Sequence, residues 1–182
     1  MIIILDYGIG NLNSIKNMIK KIGFKAEITS NPQLISKGTK FILPGVGSFE
    51  YGIKKLKSMS YFSILESKIL TEKVPILGVC LGAQFKFTEK DLELKIPHMG
   101  WNFVRPLKKS MLLNDLNPTS RFYFVHGYHF NCEEEKTKLL ETEYGYPFIS
   151  AVEKENILGV QFHPEKSHKF GMILYKNFLN NY

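Results

Sequence analysis

Cys80 stands in Gly78-Val79-Cys80-Leu81-Gly82, where the apolar run Val74 to Val79 gives way to Leu81 to Phe87, a stretch that reads as a helix. A nucleophile on so sharp a strand-to-helix turn is pushed out of the backbone, and glycines two positions to either side relieve the crowding. A helix beginning at the cysteine favours the thiolate. The N–H of Leu81 is then placed to bind an oxyanion as it develops. The chemistry on offer is nucleophilic attack on an acyl group. The competing reading is a core cysteine behind a tight turn; both glycines and the strand-to-helix setting weigh toward the nucleophile.

Such a thiolate needs a base, and the base needs an orienter. Of the histidines at positions 98, 126, 129, 163 and 168, His163 is best placed, directly after the apolar strand Ile157 to Phe162. In an extended segment residues two apart point the same way, so Glu165 is expected beside the imidazole, with Pro164 stiffening the spacing. For the others a surface or satisfied-core role is expected, with His126 and His129 in a loop. The cysteines and histidines lack zinc-ligand spacing, so no metal is expected. The loop Pro44-Gly45-Val46-Gly47 also follows a strand, and its N–H groups complete an oxyanion hole if the first and fourth strands flank it. Asp6-Tyr7-Gly8-Ile9-Gly10-Asn11 lacks the third glycine of a dinucleotide fingerprint, so no cofactor is expected.

These loops need a scaffold that brings strand ends together. Strands are expected at Met1 to Leu5, Ala26 to Thr29, Lys40 to Leu43 and Val74 to Val79. Helices are expected from Leu12 to Ile22, stopped by Gly23, and over Phe49 to Leu56 and Tyr61 to Leu70. Strands alternating with helices predict an α/β fold with a mostly parallel, doubly wound sheet. Short strands at His98 to Val104, Phe122 to Val125, Leu139 to Thr142, Phe148 to Val152 and Ile157 to Phe162 predict an antiparallel β-rich edge. A helix from Ser167 to Asn180 closes the chain, with Phe170, Ile173, Leu174, Phe178 and Leu179 facing inward.

Composition narrows the class. With 182 residues, 44% hydrophobic and 23% charged, a single domain over 1–182 is expected. Neither Met1 to Leu5 nor Pro75 to Leu81 approaches the ~20 apolar residues of a membrane span. Two separated cysteines, Cys80 and Cys132, exclude a disulfide framework and point to the cytoplasm. The net charge of +7 raises nucleic acid as a partner. All but Arg105 and Arg121 of the basic residues are scattered lysines, however, which reads as a solvated surface.

Taken together, Gly78 to Gly82, His163 to Glu165 and Pro44 to Gly47 resemble the class I (triad) glutamine amidotransferases. The ordered run of Asp6 to Leu12, Leu43 to Gly47, Gly78 to Gln84, His98-Met99-Gly100-Trp101-Asn102, Tyr123 to His126 and Gly159 to Ser167 resembles, within that class, the glutaminase subunits of imidazole glycerol phosphate synthases. The resemblance implies that Cys80 attacks the glutamine side-chain amide through a thioester, that His163 shuttles the proton, and that Glu165 orients His163. It implies an oxyanion hole from Gly47 and Leu81, substrate contacts at Gln84 and Gly45, and a partner-facing side at Trp101, Asn102 and Lys166. Ammonia would pass to a (β/α)8-barrel synthase subunit of histidine biosynthesis, and weak activity alone would rise in the complex. One domain of this size leaves the use of ammonia to that partner. The chain departs from the family at Thr88 to Pro97, which is short and lysine-bearing, so neither Asp91 nor Glu93 is a secure match for a substrate-contacting glutamate; Gly127 replaces a small polar residue. Alternatives are a paralogue supplying ammonia for amidation of a surface sugar, a non-catalytic scaffold of the same fold, and a hydrolase acting without a partner.

Overall fold

A computed structural model describes residues 1–45, 49–80, 85–86, 97–132 and 134–182. The first element, β1 (Ile2–Leu5), is a β-branched run followed by α1 (Leu12–Lys21). Asn11 caps this helix, its side chain accepting from the Ser14 N–H at 3.3 Å, and Lys20 and Lys21 complement the negative end. Ile15 and Ile19, one turn apart, bury the inner face. Gly23, at φ +92°, then turns the chain into β2 (Ala26–Thr29). A one-turn helix, α2 (Pro32–Ile35), is nucleated by the Asn31 cap and Pro32 in its first turn. Next come β3 (Lys40–Pro44), α3 (Phe49–Lys57), α4 (Phe62–Leu70) and β4 (Ile76–Val79).

The second half holds β5 (Phe85–Lys86), β6 (His98–Phe103), β7 (Arg105–Pro106), β8 (Arg121–His126) and β9 (Tyr128–His129). It finishes with β10 (Lys138–Tyr144), β11 (Tyr146–Lys154), β12 (Ile157–Val160) and α5 (His168–Asn181). The main sheet runs β2-β1-β3-β4-β12-β11-β10-β7. Its first five strands are parallel, and β11, β10 and β7 add antiparallel. β3 therefore lies between β1 and β4, the arrangement the oxyanion expectation required.

Alternate residues of the central strands enter different cores. Ile4, Ile42 and Leu77 pack with Ile15, Ile19, Leu174 and Phe178 on the α1 and α5 side. Ile3, Leu5, Phe41, Leu43 and Ile76 pack with Leu56, Tyr61 and Leu65 on the α3 and α4 side. A sheet buried on both faces explains why its strands read as continuous apolar runs.

Three expectations are corrected. Phe85–Lys86 is a strand paired antiparallel with β9, so the helix expected over Leu81 to Phe87 does not extend through it; the backbone pairing overrides local preference. β6 and β8 form their own two-stranded sheet, and the edge of the main sheet is built by β11, β10 and β7 alone. In α5, Tyr175 and Asn177 are buried while Phe170 and Ile173 are half-buried. Asn177 earns its place by donating to the carbonyls of Leu112 and Asn114 at 3.0 and 2.6 Å.

Candidate active site

Parallel strands align their carboxyl ends, and in open α/β sheets ligands bind there. Cys80 follows β4, Gly45 follows β3, and His163 follows β12 by three residues. The pairing Pro44↔Val79 sets Gly45 beside Cys80. Cys80 has φ +54°, a left-handed conformation that costs a non-glycine residue about 1–3 kcal/mol. Its N–H still donates to Val160 O at 2.7 Å, so the strand ladder holds the bend in place. The side chain is 5% exposed, and Sγ points at Val125 O at 3.9 Å. A strained backbone directly after a parallel strand is what the glycine-flanked motif predicted.

His163 Nδ1 donates to Glu165 Oε1 at 2.7 Å, with side chains only 3% and 2% exposed. Glu165 reaches the ring differently from the expectation: His163 is extended, but Pro164–Lys166 is a turn of 3-10 helix. Proline in its first turn and a carboxylate near its N-terminus favour that turn over extension. Ser167 stitches it to β8: its Oγ donates to His163 O at 2.6 Å and accepts the Tyr123 N–H at 3.0 Å, while the His163 N–H donates to Tyr123 O at 2.9 Å. His163 Nε2 is buried and faces Cys80, without a short, well-aligned hydrogen bond among the described residues. Burial by itself lowers the imidazole pKa; hydrogen bonding and charge from Cys80 and Glu165 outweigh it and push the ring up to about 9. The ring is therefore protonated at neutral pH, with a proton on Nε2 for transfer.

Gly47, Leu81 and Gln84, together with Asp91 and Glu93, lie outside the described residues. No group of His, Cys, Asp and Glu suited to a metal ion occurs among the described residues.

The family model for class-I glutamine amidotransferases matches residues 3–181. This chain belongs to that family. Among relatives of this amidotransferase, imidazole glycerol phosphate synthase subunit HisH 2 of Methanococcus maripaludis is 52% identical over 98% of both chains. The Pseudomonas aeruginosa protein of the same name is 40% identical over the same shares. The crystal structure of a glutamine amidotransferase from Thermotoga maritima shares the fold, with TM-score 0.66 at 20% identity over 98% of this chain and 83% of that one.

The amidotransferase also carries a brace that motif reading missed. Tyr7, buried after β1, donates its hydroxyl to Pro44 O, and Tyr61 donates to Asp6 O at 3.1 Å. Burial first, and the nearby Cys80 second, push the Tyr7 hydroxyl up to about 12, so it stays a donor. Gly10, at φ +100°, lets the first loop close on the third, because a Cβ there would lie 2.7 Å from Pro44 Cβ. The segment Asp6 to Asn11, read as a failed cofactor fingerprint, is thus a wedge under the Pro44–Gly45 loop. Its glycine spacing is visible in the sequence, but its partner is not.

On β6, Met99, Trp101 and Phe103 alternate outward and remain exposed, Trp101 at 41%. His168 stacks on Trp101 at 5.5 Å and Arg121 lies over it at 5.6 Å, while Lys166 Nζ sits over Tyr123 at 5.8 Å. Trp101 and Lys166 therefore belong to one face, beside the turn that carries Glu165. Asn102 points the other way, half-buried. His126 lies at the end of β8 and His129 in β9, both in strands where a loop was expected.

Burial lowers His98 to about 4 and His126 to about 3. A histidine NMR titration of the amidotransferase is expected to show His163 titrating near 9 and falling in Glu165→Gln, with His98 and His126 silent between pH 5 and 8. The stability signs differ. His163 binds its proton more tightly folded, so its contribution is full below 6.5 and lost as pH rises through about 9. His98 and His126 bind theirs more weakly folded, so stability is lost as pH falls from 6.5 toward 4 and 3. Thermal melts across both windows check both slopes.

Proposed function

We propose that Cys80, His163 and Glu165 release ammonia from glutamine. The Cys80 thiolate, paired with the protonated His163, attacks the side-chain amide carbon, and the proton on His163 Nε2 passes to the amide nitrogen as the C–N bond breaks. Ammonia leaves a glutamyl thioester. Water then gives a proton to His163 and attacks, the C–S bond breaks, and glutamate is freed. Glu165 holds the ring throughout. The observation that carries this reading is His163: its Nδ1 is bound to a buried carboxylate, which leaves Nε2 for the reaction, and the residue lies just past the strand that pairs with β4, at whose end the strained Cys80 sits. In this reading Gly45 borders the substrate, Gly47 and Leu81 supply oxyanion donors, and Gln84 holds glutamine.

In this reading residues 1–182 act as one domain in the cytoplasm, and the ammonia goes to a (β/α)8-barrel synthase subunit; the relatives' naming as subunits of a synthase supports a partner chain. The face of Trp101 and Lys166, with Asn102 on the same strand, meets that partner. No helix among the described residues is long and apolar enough to cross a membrane. Glutamate release should rise when a cyclase subunit of imidazole glycerol phosphate synthase is added together with its ligand. No release under those conditions sinks the proposal. Alkylation offers a second check: iodoacetamide, followed by mass spectrometry, is expected to modify Cys80 faster than the half-buried Cys132. Equal rates would favour a non-catalytic scaffold.

A further inference from the structure

His98 and His126 are buried, and the mechanism above uses neither. His126 Nδ1 lies 2.7 Å from Tyr128 O. A carbonyl only accepts, so Nδ1 carries the hydrogen, and in a neutral ring Nε2 is then an acceptor. His98 Nδ1 lies 3.1 Å from that Nε2 and must donate to it, which leaves His98 Nε2 as the acceptor. Asn102 Nδ2 sits 3.4 Å from His98 Nε2 and donates its other hydrogen to Glu143 O at 2.8 Å. Asn102 Oδ1 accepts the Phe103 N–H at 2.8 Å. Every role follows from the one at the Tyr128 carbonyl, so the chain runs one way, Asn102 to His98 to His126 to the backbone. His98 is clamped for this between Phe124 at 4.8 Å and Tyr144 at 4.0 Å.

The two ends of the chain are not equivalent. Asn102 is on β6, whose alternate residues form the exposed face with Trp101. The other end is the β8–β9 turn, where Val125 O meets Cys80 Sγ and where β9 pairs with β5, downstream of the cysteine. We propose that Asn102, His98 and His126 are positioning residues, a directed hydrogen-bond chain through which a protein seated on β6 sets the backbone around Cys80. This rests on the glutaminase reading, in which the seated protein is the barrel subunit.

His98→Phe keeps the ring stack and removes the chain. With the barrel partner and its ligand at saturation, its kcat for glutamate release is expected to fall about tenfold, while KM for glutamine and affinity for the partner stay within about twofold. His98→Asn, whose Nδ2–H replaces the lost donor, should recover most of the rate. A general packing defect would instead lower both variants alike. Ring 15N spectra of the wild-type chain should show both histidines neutral with hydrogen on Nδ1. A folded His98→Phe stimulated like wild type, or His126 protonated on Nε2, overturns the proposal. If wild type itself releases no glutamate, the glutaminase reading fails and the ring spectra still decide the hydrogen-bond chain.

Discussion

Replacing Cys80 by alanine is expected to abolish glutamate release, by at least about 10⁴-fold with the barrel partner present, while leaving the fold intact. The two halves of that expectation come from different atoms. In the proposed reading Sγ forms the thioester, and its contact with the backbone is a long one, to Val125 O at 3.9 Å, so little stability goes with it. Alanine keeps the Cβ, and with it the strain of φ +54°. Cys80→Gly removes that strain and is expected to melt at least as high as wild type while equally inactive. A melt paired with a glutamate assay on both variants tests the pair. Residual turnover in Cys80→Ala above about 1% of wild type would remove the cysteine from the mechanism.

A second large effect is expected far from the sulfur. Gly171, in the first turn of α5, carries nothing, yet a Cβ there would lie 1.8 Å from Pro164 O and 2.7 Å from its carbonyl carbon. Both atoms are backbone, so no side chain can swing aside. Gly171→Ala must push α5 away from the Pro164–Lys166 turn, at a cost of about 3 kcal/mol or more. For a domain of this size that lowers Tm by roughly 6–12 °C. The displaced turn carries Glu165, so His163 loses its orienter and the histidine titration near 9 should drop toward the ordinary range. A Gly171→Ala variant that melts and titrates like wild type would show that α5 does not set the turn.

What the sequence disclosed follows a physical division. The parallel sheet was legible because β1, β3, β4 and β12 are short, mostly apolar runs that end in turn-forming loops, and α1 because Ile15 and Ile19 are one turn apart beside a capping Asn11. Cys80 and His163 were legible because their positions are defined by their own strands. Glu165 was found by a two-residue offset, although a turn rather than an extended segment delivers it. The Tyr7 brace and the His98–His126 pair were not legible, since each depends on which distant segment lies opposite. The strand at Phe85–Lys86 was misread for the same reason: its partner, β9, lies beyond β8. Local pattern reports an element, and only the assembled sheet reports its neighbours.

The position of β12 also dictates an order of events during synthesis. β4, which ends at Cys80, pairs on one side with β3, made just before it, and on the other with Ile157–Val160, made near the end of the chain. A ribosome-bound chain must carry β4 with an open parallel edge through the whole of the intervening segment, and such edges recruit wrong partners. His163 arrives only after that edge is closed. The nascent chain therefore exposes its thiol without the imidazole beside it, and in the proposed mechanism the pair is completed only as one of the last acts of folding.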